Sequence, residues 1–156
     1  MSRIVLLDTG PLGMIVHPRQ NPAVVSWLEG LLQSGVSVII PEIADYELRR
    51  ELLRLGSNKS IERLNTLKNT LDYLPLTTST MLKAAELWAE ARRQGQPTAD
   101  NKALDGDMIL CAQAAIIGIA GDEVIIATTN VGHLSRFSQA ILWSEISPLA
   151  PPGENA

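Results

Sequence analysis

The sequence contains a single cysteine, Cys111. No intramolecular disulfide and no cysteine-based zinc site can be built from one thiol. It lies in the apolar run Met108-Ile109-Leu110-Cys111-Ala112, where a buried, inert side chain is expected. Long hydrophobic runs are missing too. The longest, such as Ala114 to Ala120, fall well short of the roughly 18 residues that a membrane span needs, and Arg3 is followed by no signal-like segment. A cytoplasmic protein with no membrane partner is therefore expected. There is no excess of positive charge either. The net charge of −4 argues mildly against holding nucleic acid by broad attraction, yet leaves room for a local basic patch beside an acidic site whose bound divalent cations reverse the local sign. Internal repeats and low-complexity tracts are absent.

What is present is an alternation of strand and helix signals in a chain of one-domain size, 156 residues. Ile4-Val5-Leu6-Leu7 reads as a strand buried on both faces, and Asp8-Thr9-Gly10-Pro11 leaves it in a turn. Asn21 to Gly35 reads as a helix with Pro22 at its start, and Val36 to Ile40 as a second strand. Pro41 opens a helix through Arg54 that stops at Gly56. Its core stripe is read as Ala44, Leu48, Leu52 and Leu55. Ser57 to Asp72 is read as helical, Tyr73 to Leu76 as a short strand, and Met81 to Arg93 as a helix ended by Gly95, with Ala84, Ala85, Leu87, Trp88 and Ala91 on its packed side. Gly95 to Leu104 is polar and is the loop expected to move. Asp105-Gly106-Asp107 then leads into an apolar helix, Met108 to Ile117, which belongs at the centre of the core. Val124 to Ala127 and Ile141 to Trp143 read as the last two strands. The pattern predicts an α/β fold with a mainly parallel sheet. It covers residues 1–147, and the tail 148–156, with its prolines and glycine, is expected to be flexible.

In such sheets ligands bind at the carboxyl ends of the strands. Asp8 follows the first strand, Asn130 stands just past Val124 to Ala127, and Asp107 lies in the first turn of the core helix, so the three can share one edge. Asp105 and Asp107 have a structural explanation as well, since acids at a helix start cap its free N–H groups. That explanation suits Asp105 better than Asp107. Glu47 shares a helix face with Arg50, Glu51 and Arg54, and spacing alone reads it as solvated charge. Carboxylates brought together repel by roughly 4 kcal/mol at about 4 Å and an effective dielectric of 20. A hard divalent cation removes that repulsion, and Mg²⁺ or Mn²⁺ prefers oxygen ligands.

Several other chemistries are excluded by what surrounds Asp8. A phosphatase of the haloacid dehalogenase type needs a second acid two residues on, where this chain has Gly10. A phospho-accepting receiver domain wants an acid pair at the first strand and an Asp after the third, where Leu76 is followed by Thr77 and Thr78. A dinucleotide-binding domain wants Gly-x-Gly-x-x-Gly, which Thr9-Gly10-Pro11-Leu12-Gly13 does not supply.

Four stretches together resemble the motifs of the PIN domain in order and spacing. They are Leu6-Leu7-Asp8-Thr9, Pro41 to Arg54 around Glu47, Asp107-Met108-Ile109-Leu110-Cys111-Ala112-Gln113-Ala114, and Thr128-Thr129-Asn130-Val131-Gly132-His133-Leu134. The likeness covers nearly the whole chain, and is greatest to the single-domain VapC-type toxins of bacterial toxin–antitoxin pairs. It implies a three-layer α/β/α fold with a sheet of about five parallel strands, and a Mg²⁺- or Mn²⁺-dependent endoribonuclease. By motif position Asp8, Glu47 and Asp107 resemble the three acidic metal-site residues, and Thr9 the hydroxyl residue that helps arrange them. Asn130 stands where many members carry a fourth acid; a neutral amide binds a hard cation less strongly, with Asp105 as a possible compensating ligand. The likeness also implies an RNA substrate, a cognate antitoxin covering the acidic cleft, and a homodimer. No histidine is required: His133 is read as packing or capping, and His17 carries no signal. Arg49, Arg50, Arg54, Arg92, Arg93, Lys102 and Arg136 are the candidate phosphate contacts, most of them expected to be solvated charge. The competing reading is a PIN-like module that binds RNA or protein without cutting.

Overall fold

The computed structural model describes residues 3–94 and 101–147. Five strands, β1 (Arg3–Leu7), β2 (Ser37–Pro41), β3 (Asp72–Leu74), β4 (Glu123–Thr128) and β5 (Ala140–Leu142), form one sheet in the order β3-β2-β1-β4-β5. Every pairing is parallel. Such pairings need crossovers: α1 (Thr9–Val16) and α2 (Pro22–Gln33) lie between β1 and β2, α3 (Glu42–Leu55) and α4 (Asn58–Thr70) between β2 and β3, α5 (Thr78–Arg93) and α6 (Asn101–Ile117) between β3 and β4, and a 3-10 turn (Gly132–Arg136) between β4 and β5.

Side chains alternate across a strand, so β1 feeds two cores at once. Val5 and Leu7 join Val38, Ile40, Ile125 and Ala127 beneath α1, α2 and α4. Ile4 and Leu6 join Ile39 and Ile126 beneath α5 and α6. The result is the expected three-layer α/β/α arrangement. Helix α3 spans both layers: Ala44 and Leu48 belong to the first core and Ile43 to the second. At the sheet's far edge the Trp27 indole donates to the Ile146 carbonyl at 3.1 Å and packs edge-on against Trp143.

Several boundaries differ from the sequence reading, each for a physical reason. The chain after Asp8 does not make an isolated turn but enters α1 directly, with Pro11 inside its first turn, where a missing N–H costs nothing. Pro41 is the last residue of β2 and the N-cap of α3, one step earlier than expected. Asp72 pairs with Ile39 in β3 and does not continue α4. Trp143 begins a 3-10 turn after β5. Leu55 is 60% exposed and leaves the core stripe, because α3 ends at Gly56, whose φ of 68° turns the chain away. On α5, Ala85 and Trp88 are exposed, while Ala84, Leu87 and Ala91 are buried.

Helix α6 begins at Asn101, so residues 101–104 are not a loop and Asp107 lies in the second turn, not the first. The expected mobile segment 95–100, its Gly95 stop and the tail 148–156 lie outside the described residues.

Candidate active site

The strand alternation that builds the second core also aims two polar side chains. Just past β1, Asp8 continues the Ile4-Leu6 face; in β4, Thr128 continues the Ile126 face. Leu7 is paired with Ala127, and the Asp8 amide donates to the Ala127 carbonyl at 2.9 Å, which sets Asp8 beside Thr128. The Thr128 hydroxyl donates to Asp8 Oδ2 at 2.8 Å, and the Thr9 amide donates to Oδ1 at 2.7 Å. Asp8 is thus the N-cap of α1 as well as the acid at the strand's end, and both oxygens are held by donors.

Asp107 arrives from α6. It lies three residues after buried Leu104 and four before buried Cys111, on the stripe that faces the sheet. Glu47 arrives from α3, one turn after Ile43 in the second core. The Thr9 hydroxyl donates to Glu47 Oε1 at 3.3 Å, and Arg50 Nη2 stands 4.0 Å from Oε2. The three acids therefore come from β1, α3 and α6, and they repel one another. Burial, then the Asp8 charge, then that of Glu47 raise the Asp107 pKa from 3.8 to about 6. Burial and Asp8 also raise that of Glu47, opposed by the Thr9 hydrogen bond and by Arg50. Spacing read Glu47 as solvated charge; the structure instead leaves its side chain 26% exposed and turned to the other two acids.

Two glycines make these approaches close. A Cβ on Gly106 would stand 2.5 Å from Glu47 Oε2, and one on Gly10 would stand 2.5 Å from the Thr129 hydroxyl. Behind the acids, fully buried Gln113 accepts from the Ile43 amide at 3.3 Å and donates to the Leu74 carbonyl at 2.9 Å, tying α6 to α3 and β3. Gln113 and Thr128 lie within motifs visible in the sequence, and their supporting contacts become apparent only with the strands in register. Gly106 stands between two aspartates in the sequence, and its place inside a helix becomes apparent only with α6 beginning at Asn101.

The remaining candidates stand elsewhere. Asn130 joins the site through its backbone, its amide donating to the Thr128 hydroxyl at 3.0 Å. Its side chain is exposed, with Oδ1 3.2 Å from the position of a Gly132 Cβ. Asp105 lines a groove between α5 and α6 with Trp88, Met108 and Ile109, away from the acid cluster. Being inside α6, it does not cap the helix start as expected. Arg49 pairs with Asp45 at 3.0 Å, Arg54 pairs with Glu51, and Arg92 lies 5.1 Å over the Trp88 ring. Arg136 lies over Phe137 and bonds Gln94, and the Lys102 side chain falls outside the described set. Among the described side chains of these cations, Arg50 is the one that comes within 4.0 Å of a site acid. His17 accepts from the Arg19 amide at 3.0 Å. Cys111 is fully buried, and burial raises its thiol to about 11.

Among the described residues, no group of three or more acidic, histidine or cysteine side chains closes into a ready-made metal cage. The donor set nevertheless fits a hard divalent ion. It is all oxygen, it carries more negative charge than Arg50 offsets, and Mg²⁺ keeps several waters while binding through only one or two carboxylates.

The family profile described as the PIN domain matches residues 5–136. Similar solved structures include FitAcB from Neisseria gonorrhoeae, 23% identical, with a TM-score of 0.68 over 91% of this chain and 99% of that one. VapBC from Salmonella typhimurium, solved bound to DNA, is 17% identical with a TM-score of 0.70 over 92% and 99%. VapBC2 from Rickettsia felis, bound to a DNA fragment from its promoter, is 17% identical with a TM-score of 0.69 over 89% and 96%. No curated protein sequence matches the chain.

Proposed function

The chain belongs to the PIN domain family, and from that premise we propose that it is an endoribonuclease that hydrolyses RNA phosphodiester bonds with Mg²⁺ or Mn²⁺. The observation that carries this reading is the convergence of Asp8, Glu47 and Asp107, where burial and then the charges of Asp8 and Glu47 raise Asp107 to about 6. An arrangement that costs the metal-free protein stability at neutral pH has a use if a doubly charged ion enters it.

In this reading Asp8, Glu47 and Asp107 hold the ion. When bound, it supplies an activated water and neutralises the charge that builds on the phosphate oxygens. The chain's own contribution is orientation. Thr128 and the Thr9 amide fix both oxygens of Asp8, and the Thr9 hydroxyl fixes one oxygen of Glu47. Arg50 is placed to meet a phosphate at the α3 side of the cleft, because its pairing with Glu47 at 4.0 Å is loose. Asn130 acts through the Thr128 hydroxyl and not as a ligand.

The motif resemblance is to VapC-type toxins, and the similar solved structures include VapBC from Salmonella typhimurium and VapBC2 from Rickettsia felis. We therefore assign this chain the toxin role in a toxin–antitoxin pair, with a protein antitoxin as partner, a homodimer as its assembly and the cytoplasm as its place of action. No helix among the described residues is long and apolar enough to cross a membrane. The test is cleavage of single-stranded RNA by the purified protein. Activity with Mg²⁺ or Mn²⁺, its loss with chelator, and its loss in a folded Asp8→Asn variant are expected. Equal cleavage by Asp8→Asn would remove the assignment, and metal-independent RNA binding without cleavage would favour the non-catalytic reading.

A further inference from the structure

A glycine in a helix interior gives up the helix-forming contribution that almost any other residue would make, so its presence there calls for a local cause. Gly106 is such a residue. It lies five positions into α6, is buried, and precedes Asp107. Its surroundings supply the cause. A Cβ at this position would stand 2.5 Å from Glu47 Oε2, 3.1 Å from Cδ and 3.4 Å from Oε1. All three nearest atoms belong to one carboxylate, and none belongs to the sheet or to α5.

We propose that Gly106 is a positioning residue for Glu47. The bare helix surface at Gly106 forms a seat on which the carboxylate from α3 lies against α6, next to Asp107. The Thr9 hydroxyl holds Oε1 from one side at 3.3 Å, and Arg50 approaches Oε2 from another at 4.0 Å. A methyl group on the seat would push the carboxylate outward, away from its neighbour on α6. Gly106 itself touches neither ion nor substrate; it acts through Glu47. The assignment rests on the acidic cluster as the metal site, but the seat is a claim about packing that can be tested without metal.

The experiment is a set of six proteins: Gly106 and Gly106→Ala, each with Glu47, Glu47→Ala and Glu47→Asp. Each is melted without metal and titrated calorimetrically with Mn²⁺ alone. Gly106→Ala should raise the melting temperature in the Glu47→Ala background, where helix propensity alone acts, and shift it by a different amount where Glu47 is present, because the displaced carboxylate gives up both its Thr9 bond and its repulsion with Asp8 and Asp107. Mn²⁺ affinity should fall about 10- to 100-fold on Gly106→Ala, the range seen when the support of a metal ligand is lost. In the Glu47→Ala background it should not change further. Glu47→Asp, whose carboxylate is retracted by one methylene, should shrink the affinity loss caused by Gly106→Ala. The seat is overturned if Gly106→Ala shifts the melting temperature equally in the Glu47 and Glu47→Ala backgrounds, or if the Glu47→Ala double variant fails to fold. It is also overturned if the parent binds Mn²⁺ and Gly106→Ala binds it as tightly. A parent that binds no Mn²⁺ overturns the metal reading instead, and the melting comparison still decides the seat.

Discussion

Replacing Asp107 with asparagine should make the metal-free protein more stable while destroying the proposed activity. Asparagine keeps the shape and removes the charge. The penalty it removes follows from the carboxyl's pKa, raised from 3.8 to about 6 by burial, Asp8 and Glu47. Taken at face value that difference is about 3 kcal/mol, and screening at this half-exposed position reduces it to about 1–2 kcal/mol. The sign depends on pH. Below about pH 4 the proton is bound in both folded and unfolded chains, so the penalty is absent; as pH rises through about 6 the folded chain must release it and the penalty appears in full. Urea unfolding of parent and Asp107→Asn should therefore give a stabilisation of about 1–2 kcal/mol at pH 7.5 that vanishes near pH 4. Added Mn²⁺ should stabilise the parent and not the variant. A variant no more stable than the parent at pH 7.5, or a difference independent of pH, would refute the idea that unneutralised carboxylates converge here.

The supports of the site should respond in their own ways. Thr128→Val removes the hydroxyl that donates to Asp8 Oδ2 at 2.8 Å; RNA cleavage should fall about 10- to 100-fold with little change in melting temperature. Gln113→Leu leaves the Ile43 amide and the Leu74 carbonyl without their partner; denaturant unfolding should show a loss of about 2–4 kcal/mol, since each stranded buried group costs about 1–3 kcal/mol.

The layers of this fold were legible because β1, β2 and β4 each carry an apolar run of three or more residues and the helices carry caps, as at Asn21, which accepts from the Ala23 and Val24 amides. Asp8 was legible for the same reason, since a buried strand that stops on an acid is conspicuous. Glu47 was not. Reading α3 by a single stripe, Ala44-Leu48-Leu52, assumes one packed face. The helix in fact contacts both cores, and the Ile43 side carries Glu47 inward. Its role was supplied by resemblance alone. The start of α6 was misplaced because Gly95 to Leu104, taken as a whole, is polar and reads as a loop, although Leu104 is only 1% exposed within the helix. That shift moved Asp105 onto the α5 groove and left Asp107 on the sheet side. Thr128 needed the β1–β4 register, which no local pattern reports.

The central claim is that acids from β1, α3 and α6 share one divalent ion. Diffraction from crystals soaked in Mn²⁺, recorded where manganese scatters anomalously, tests it most directly. A peak bounded by Asp8, Glu47 and Asp107, lost in Asp8→Asn crystals, is predicted. Ordered side chains at those three positions with no peak between them, at Mn²⁺ concentrations that support cleavage, would contradict it.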